Sequence, residues 1–511
     1  MAEYHARQSN AMKPTRFIMV WGTSSGAGKS WLTTALCRVA KRRDINVAPY
    51  KAQNMSNNAR VVPGINGGYG EIGAAQYFQA LAAGVTPTVD MNPVLLKPER
   101  DTASQVILQG HVNAALSSMP WRERSAKLAV SARESFERLA SRHELIVIEG
   151  AGSPAEINLA ASDYVNLGTA RWAQSLGTLS SLLVTDIDRG GAFAHLYGTW
   201  QLLPDDLRPS LAGFVLNKFR GDAALLALGP QQLQSLTGVP LAGVIPMRRD
   251  HGLPEEDGVF DDRTTPQIHA DAKPLRVAII APPHISNLDE FQPLKNVPGL
   301  RLIWARTAGE LDNVDWIILP GSKQVSGDLR WLRTQGLDRE IIEHARRGGA
   351  VLGVCGGLQM LGERLSDPHG YDGEDSEMQG LGLLPLTTHY RAKKRVSPVT
   401  AHFTDTHGMW AGLNSVTANG YEIHQGITTA SANTEHLSAV LHDERGETLG
   451  WQSGNVLGVY AHGLFESTAV MQALFGQTTR TLDAAFETLA DIVETHFDPA
   501  LLSSLFDVTQ S

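Results

Sequence analysis

The sequence predicts an α/β protein of two doubly wound domains, and three observations predict it. Short continuous apolar runs such as Phe17–Trp21, Leu145–Ile148 and Trp316–Leu319 read as parallel strands buried on both faces. They alternate with segments of helical periodicity, as a sheet wound by helices on both sides requires. Between about Met247 and Pro274 the alternation fails, and the chain becomes polar, charged and proline-bearing. The expected organisation is an extension over residues 1–15, a domain over 16–248, a linker over 249–274 and a domain over 275–511.

In the first domain, strand Phe17–Trp21 runs into Gly22-Thr23-Ser24-Ser25-Gly26-Ala27-Gly28-Lys29-Ser30, and Leu32, Ala35, Leu36 and Val39 then recur at helical spacing. This is strand, phosphate loop, helix. The usual phosphate loop has four residues between its first glycine and Gly-Lys-Ser/Thr; here Gly22 and Gly28 enclose five. Backbone N–H groups from Gly22, Ser25, Gly26 and Gly28 would cradle phosphates, Lys29 would neutralise them, and the Ser30 hydroxyl would bind Mg²⁺. Further strands are expected at Ser181–Thr185 and Gly213–Leu216, with helices at Ile72–Ala83 and Trp121–Ser141. Carboxylates at strand ends are the candidate metal partners: Glu149, followed by Gly150-Ala151-Gly152, and Asp186, with Asp188 close by. A helix cap or a solvated loop is the plainer reading of each.

The second domain opens with strand Arg276–Ala281. Helix Asp338–Arg347 precedes the apolar run Ala350–Val354, which ends at Cys355-Gly356-Gly357 before another helical pattern. That is the layout of a nucleophile elbow, in which a strained strand-to-helix turn presents a reactive side chain. A helix N-terminus also favours the thiolate. A cysteine nucleophile needs a base and an oxyanion site. His462, after strand Val456–Tyr460, is the candidate base, and His424 competes with it. The N–H groups of Gly356, Gly321 and Ser322 are the candidate oxyanion donors. The pattern from Leu482 to Phe497 reads as a terminal helix packed on this second domain.

Composition excludes several classes. The chain has 511 residues, of which 42% are hydrophobic and 19% charged, so it can build large cores. A net charge of -9 gives no electrostatic case for a nucleic-acid partner. Cys37 and Cys355 are the only cysteines, which fits a reducing, cytoplasmic setting and excludes a disulfide framework. No apolar run is long enough to span a membrane, and the N-terminal stretch lacks the apolar centre of a signal peptide.

At these residues the chain resembles known families. Gly353-Val354-Cys355-Gly356-Gly357 with a later histidine resembles the class I glutamine amidotransferase domain. The loop Gly22–Ser30 with Glu149-Gly150-Ala151-Gly152 resembles the dethiobiotin synthetase type of ATP-dependent ligase, which shares the five-residue spacing. Tyr50–Asn58, Glu71–Gln76, Asn92–Pro98, Ile285-Ser286-Asn287 and Gly420–His424 look like the cobyric acid synthase family. The resemblance runs from about Phe17 to the last helix.

It implies an N-terminal P-loop-type ATP-binding domain and a C-terminal class I glutamine amidotransferase-like domain. The implied activity is ATP- and Mg²⁺-dependent, glutamine-hydrolysing amidation of the b, d, e and g carboxylates of (adenosyl)cobyrinic acid a,c-diamide, giving cobyric acid. On the same resemblance Lys51, Gln53, Asn54 and Asn57, with Asn58, would line the corrinoid site, and Asn217 would contact the adenine of ATP. Many class I amidotransferases carry a glutamate two residues after the histidine; here that position is Leu464, with Glu466 farther on. Another carboxylate, a backbone carbonyl or no partner is left to orient His462. Rival readings are the same chemistry on another acid, as in cobyrinic acid a,c-diamide synthesis, and a ParA/MinD-like switch ATPase acting by partner binding.

Overall fold

In the computed structural model, the described residues are 15–100, 103–248, 252–253, 274–373, 375–431, 435–476 and 481–507. The extension expected over 1–15 and the linker over 249–274 lie almost entirely outside them.

The first domain is built on a six-stranded, wholly parallel sheet. Its order is Leu241–Pro246, Leu211–Phe219, Thr178–Asp186, Arg16–Gly22, Leu145–Glu149, Val47–Tyr50. Phe17, Ile18, Met19, Val20 and Trp21 are all buried, because helices cover both faces and each face has its own apolar core. The central strand Arg16–Gly22 delivers the phosphate loop to the carboxyl edge of the sheet, where such folds bind ligands. Helix Lys29–Arg42 follows, with basic Lys41 and Arg42 at its C-terminal end.

Beside this sheet an antiparallel hairpin, Ala59–Pro63 with Tyr69–Gly73, leads directly into helix Ala74–Ala83. The sequence places the start of that helix at Ile72. Ile72 belongs instead to the strand, where it pairs with Arg60.

The second sheet starts parallel, in the order Leu300–Ala305, Leu275–Ile280, Trp316–Leu319, Ala350–Val354, Val456–Val459. It continues as antiparallel strands through Thr448–Ser453 and Ser438–Asp443 to the long pair Leu386–Phe403 and Thr417–Ala430. Periodicity did not reveal this extension. Its strands carry polar residues on solvent-facing positions, and the Gly420–Gly426 segment reads as a loop although it lies within Thr417–Ala430.

One expectation is corrected here. Helix Leu482–His496 and the following Pro499–Phe506 pack on the first domain, not the second. Phe486, Leu489, Val493, Leu502 and Phe506 join the core containing Ile18, Leu32 and Val184. Arg42 adds contacts to Asp491 at 2.7 Å and Glu494 at 2.6 Å. The apolar stripe of an amphipathic helix states that it is buried, but not against which sheet. A small cluster of Ala59, Leu95 and Ile107 with Tyr421 and Ile423 joins the two domains.

Candidate functional site

The phosphate loop and its surroundings form one centre. Gly26 and Gly28 have φ of 70° and 105°, conformations that a side chain strains. A Cβ on Gly28 would also lie 1.9 Å from the Asn217 amide nitrogen. Asn217 donates to the carbonyl of Ala27 at 2.9 Å, so it braces the loop from beneath. Ser25 and Gly26 are exposed, leaving the loop mouth open. The Lys29 ammonium bridges the carbonyls of Ser24 and Gly152, at 3.0 and 3.1 Å, and so spans the space above the loop.

Glu149 is the acidic hub of this centre and is buried. Its Oε1 accepts from the Ser30 hydroxyl and from Lys51 Nζ, both at 2.8 Å; its Oε2 accepts from Gln79 at 2.5 Å and Gln76 at 3.4 Å. Burial opposes its charge, but Lys51 and the hydrogen bonds win and hold the carboxyl below its usual range. An ionised carboxylate beside a hydroxyl fits Mg²⁺, which is held by one or two protein oxygens and completed by phosphates and water. Among the described residues no cluster of three or more His, Cys, Asp or Glu forms a separate metal cage.

Asp186 is not brought to that pair. It ends the strand on the other side of Arg16–Gly22 from Glu149, two strand spacings or about 10 Å away. Its carboxylate instead meets Lys218 at 3.1 Å and Arg189 at 3.4 Å and caps the N–H of Asp188. The amide-rich loop is divided in the same way. Lys51 turns to Glu149, Gln53 accepts from Tyr164 OH at 2.6 Å, Asn54 is buried, and Asn57 faces a cavity between the domains.

The second centre is the cysteine elbow. Cys355 has φ 53° and ψ −104°, a strained conformation for a residue with a side chain, costing about 1–3 kcal/mol. The surrounding backbone enforces it. The Cys355 N–H is tied to Val459 O at 2.7 Å, and a Cβ on Gly357 would lie 2.0 Å from Leu319 O. Gly356 is pressed against the N–H of Ser322, 2.7 Å from where its Cβ would stand, and Gly321 against Ser286. The Gly321-Ser322 segment pairs antiparallel with Ile285-Ser286, and Ser322 Oγ donates to Asp328 at 2.6 Å. The three candidate oxyanion donors therefore lie around the elbow on pinned backbone.

The Cys355 thiol donates to the carbonyl of Ile423 at 3.5 Å, and His462 lies within electrostatic reach of it. Its Nδ1 lies 3.0 Å from Glu290 Oε1, and Glu290 Oε2 accepts from the N–H of Gly463 at 3.1 Å. Burial works against a charged imidazole, but Glu290 and Cys355 outweigh it and push His462 up to about 10. Glu290 thus supplies the carboxylate that orients His462 beside Cys355, the arrangement a nucleophile and its base need. The carboxylate comes from Glu290, far upstream, and sequence reasoning missed it. The segment Ile285–Asn287, which carries part of the family resemblance, lies just ahead of it. His424 is engaged elsewhere: Nε2 lies 3.1 Å from Glu422, and its ring stacks on Tyr460 at 3.9 Å.

The thiol opens on a cavity of about 820 Å³ lined from both domains, by Asn57, Glu71, Lys97 and Gln105 on one side and Cys355, Lys323 and Gln359 on the other. Buried Glu71 pairs with Lys97 of its own domain and with Lys394 of the other at 2.6 Å. Burial opposes its charge, yet the two lysines hold Glu71 well below the carboxylate range. Lys323 donates to Gln105 at 2.8 Å. Burial first, then Lys394 and Lys97, press Lys323 well below the lysine range.

Comparison with known proteins assigns each domain to a family. Residues 18–258 match the CobQ/CobB/MinD/ParA nucleotide binding domain, and residues 276–470 match the CobB/CobQ-like glutamine amidotransferase domain. The chain is 58% identical over 508 residues to a cobyric acid synthase of Leptothrix cholodnii, covering 97% of this chain and 98% of the relative. It is 60% identical over 494 residues to one of Variovorax paradoxus, covering 96% and 99%. A third, of a Polaromonas species, is 58% identical over 509 residues, covering 96% and 98%.

Proposed function

The chain belongs to the cobyric acid synthase family of glutamine-dependent amide ligases, and from that premise we propose how its two centres divide the work. The reaction is amidation of the b, d, e and g carboxylates of (adenosyl)cobyrinic acid a,c-diamide, with ATP and glutamine consumed at separate sites. The observation that carries the reading is that Cys355 opens on a cavity whose opposite wall belongs to the nucleotide-binding domain.

In the second domain the Cys355 thiolate attacks the side-chain amide carbon of glutamine. The oxyanion is received by N–H groups of Gly356, Gly321 and Ser322. His462, charged and steadied by Glu290, gives its proton to the departing nitrogen; the C–N bond breaks, ammonia leaves and a γ-glutamyl thioester remains. His462, now neutral, takes a proton from water as its oxygen adds to the thioester carbon; the C–S bond breaks, glutamate leaves, and the thiolate and charged His462 are restored.

In the first domain a substrate carboxylate is a poor acyl acceptor until one oxygen is phosphorylated. It attacks the γ-phosphorus of ATP, ADP leaves, and the acyl phosphate is then attacked by ammonia with loss of phosphate. Lys29 neutralises charge developing on the transferred group. Ser30 and Glu149 would hold Mg²⁺, which when bound withdraws charge from the phosphate oxygens. Gln76, Gln79 and Lys51 keep Glu149 ionised and oriented. Asn57, on the cavity wall, is the loop residue best placed to meet the corrinoid. Free ammonia is mostly protonated at neutral pH, so the shared cavity serves as a sheltered path for it.

One experiment tests substrate and path together. The protein is incubated with cobyrinic acid a,c-diamide, Mg-ATP and amide-labelled heavy-nitrogen glutamine in excess unlabelled ammonium, and the product is weighed by mass spectrometry. Four carboxylate-to-amide steps carrying the label are expected. Glutamine hydrolysis with an unchanged corrinoid would direct the search to another acid, and unlabelled product would abolish the sheltered path.

A further inference from the structure

We infer that Arg60, a residue of the nucleotide-binding domain, is a positioning residue for glutamine hydrolysis: it holds the Asp289-Glu290 segment and Tyr421 in place around His462. The inference rests on the proposed Cys355–His462 glutaminase.

Arg60 lies on the hairpin strand Ala59–Pro63, and its side chain is 1% exposed. The guanidinium crosses the domain boundary. Nη2 meets Asp289 Oδ2 and Glu466 Oε1, each at 2.5 Å, Nη1 donates to Tyr421 OH, and the group lies 5.0 Å over the Tyr421 ring. Its partners flank the catalytic imidazole. Asp289 precedes Glu290, which accepts from His462 and Gly463. Tyr421 stacks on His462 with ring centres 5.2 Å apart and planes 16° from parallel. The backbones of Tyr421 and His462 also exchange hydrogen bonds, at 2.9 and 3.3 Å.

The residues beside Arg60 make the same connection. The N–H of Ala59 donates to Asn287 Oδ1 at 3.1 Å, and Asn58 Oδ1 accepts from the N–H of Leu288 at 2.9 Å. Asn287 Nδ2 in turn lies 3.4 Å from His462 Nδ1. Segment 58–60 of one domain therefore grips segment 287–290 of the other at several points.

The charges explain why an arginine is needed. Three carboxylates, Asp289, Glu290 and Glu466, act on His462, with Tyr421 and Cys355 beside it, and Arg60 is the cation that faces Asp289 and Glu466. Burial raises Glu466 most, Arg60 lowers it, and Asp289 and Glu290 raise it again, leaving it at about 7. Without the guanidinium, Asp289 and Glu466 lose the cation that compensates them, and the segment bearing Glu290 loses its tie to the nucleotide-binding domain. A guanidinium serves several acceptors in a fixed fork, which an ammonium does only in part.

Full-length Arg60→Met, Arg60→Lys, Tyr421→Phe and Cys355→Ser proteins are assayed for glutamine hydrolysis across pH and for ammonia-dependent amide synthesis. Arg60→Met is expected to lower kcat for glutamine about tenfold at pH 7, a small part of the factor acid–base catalysis supplies, and to move the acid limb to higher pH. Ammonia-dependent synthesis stays within about twofold of wild type. Arg60→Lys recovers part of the loss, and Tyr421→Phe shifts the limb in the same direction by less. Wild-type kcat and pH profile in Arg60→Met would overturn the inference, as would parallel loss of both activities with an unmoved pH profile. Should Arg60→Met fail to fold, an unmoved profile in Tyr421→Phe overturns it. Hydrolysis persisting in Cys355→Ser would instead refute the underlying glutaminase.

Discussion

Nδ1 of His462 lies 3.0 Å from Oε1 of Glu290, a residue 172 positions earlier in the chain. The second carboxylate oxygen is fixed by the N–H of Gly463, so the acid is aligned on the imidazole rather than merely close to it. Glu466, nearer in sequence, is turned to Arg60 instead. Glu290→Gln keeps the shape and removes the charge that favours the imidazolium. Glutamine-dependent synthesis is expected to fall about 100-fold, with the ammonia-dependent rate retained. Steady-state assays with the two nitrogen donors check this; equal loss with both would place Glu290 in the fold rather than in the chemistry.

The same pair sets a pH dependence of stability. His462 is raised in the folded protein from 6.5 to about 10, against its burial, by Glu290 and Cys355. A group raised on folding contributes its stability fully below its unfolded pKa and loses it as pH rises toward the folded one. The Tm advantage of wild type over His462→Gln should therefore be largest near pH 6 and shrink between about pH 6.5 and 10. Differential scanning calorimetry of the two proteins across that range is the check. An advantage that grows with pH would mean that His462 is buried neutral.

The phosphate loop supplies a test confined to the other centre. Gly28 combines a φ of 105° with a Cβ position 1.9 Å from Asn217. Gly28→Ala must displace Asn217 or the loop, at a cost of about 1–3 kcal/mol. Lys29→Met removes the cation that offsets charge on the transferred phosphate and should lower amide synthesis about 100-fold or more with either nitrogen donor. Glutamine hydrolysis measured without ATP is expected to survive both changes. Its loss in Lys29→Met would mean that Lys29 acts outside the phosphoryl-transfer step.

Both centres were legible because their backbones are unusual. A buried strand ending in glycines and a chemical residue is a local signal, and it marked Lys29, Ser30, Glu149, Cys355 and His462 without any knowledge of the fold. Contacts made across the chain left no such mark. Glu290 and Arg60 look in sequence like ordinary charged residues, and only the meeting of segment 58–60 with segment 287–290 gives them a role. Asp186 shows the opposite failure. A strand-end carboxylate is a sound pattern, but strand order, which the sequence leaves open, puts it across the central strand from Glu149. The terminal helices follow the same rule, since an apolar stripe specifies burial without naming the partner.

The most direct test of the account is Cys355→Ser, assayed for corrinoid amide synthesis with Mg-ATP and either glutamine or ammonium chloride. Synthesis is expected to vanish with glutamine and persist with ammonium at a rate near that of wild type. Unchanged synthesis with glutamine would contradict the assignment of Cys355, and failure of both variant and wild type to amidate with either donor would direct the search to another acid.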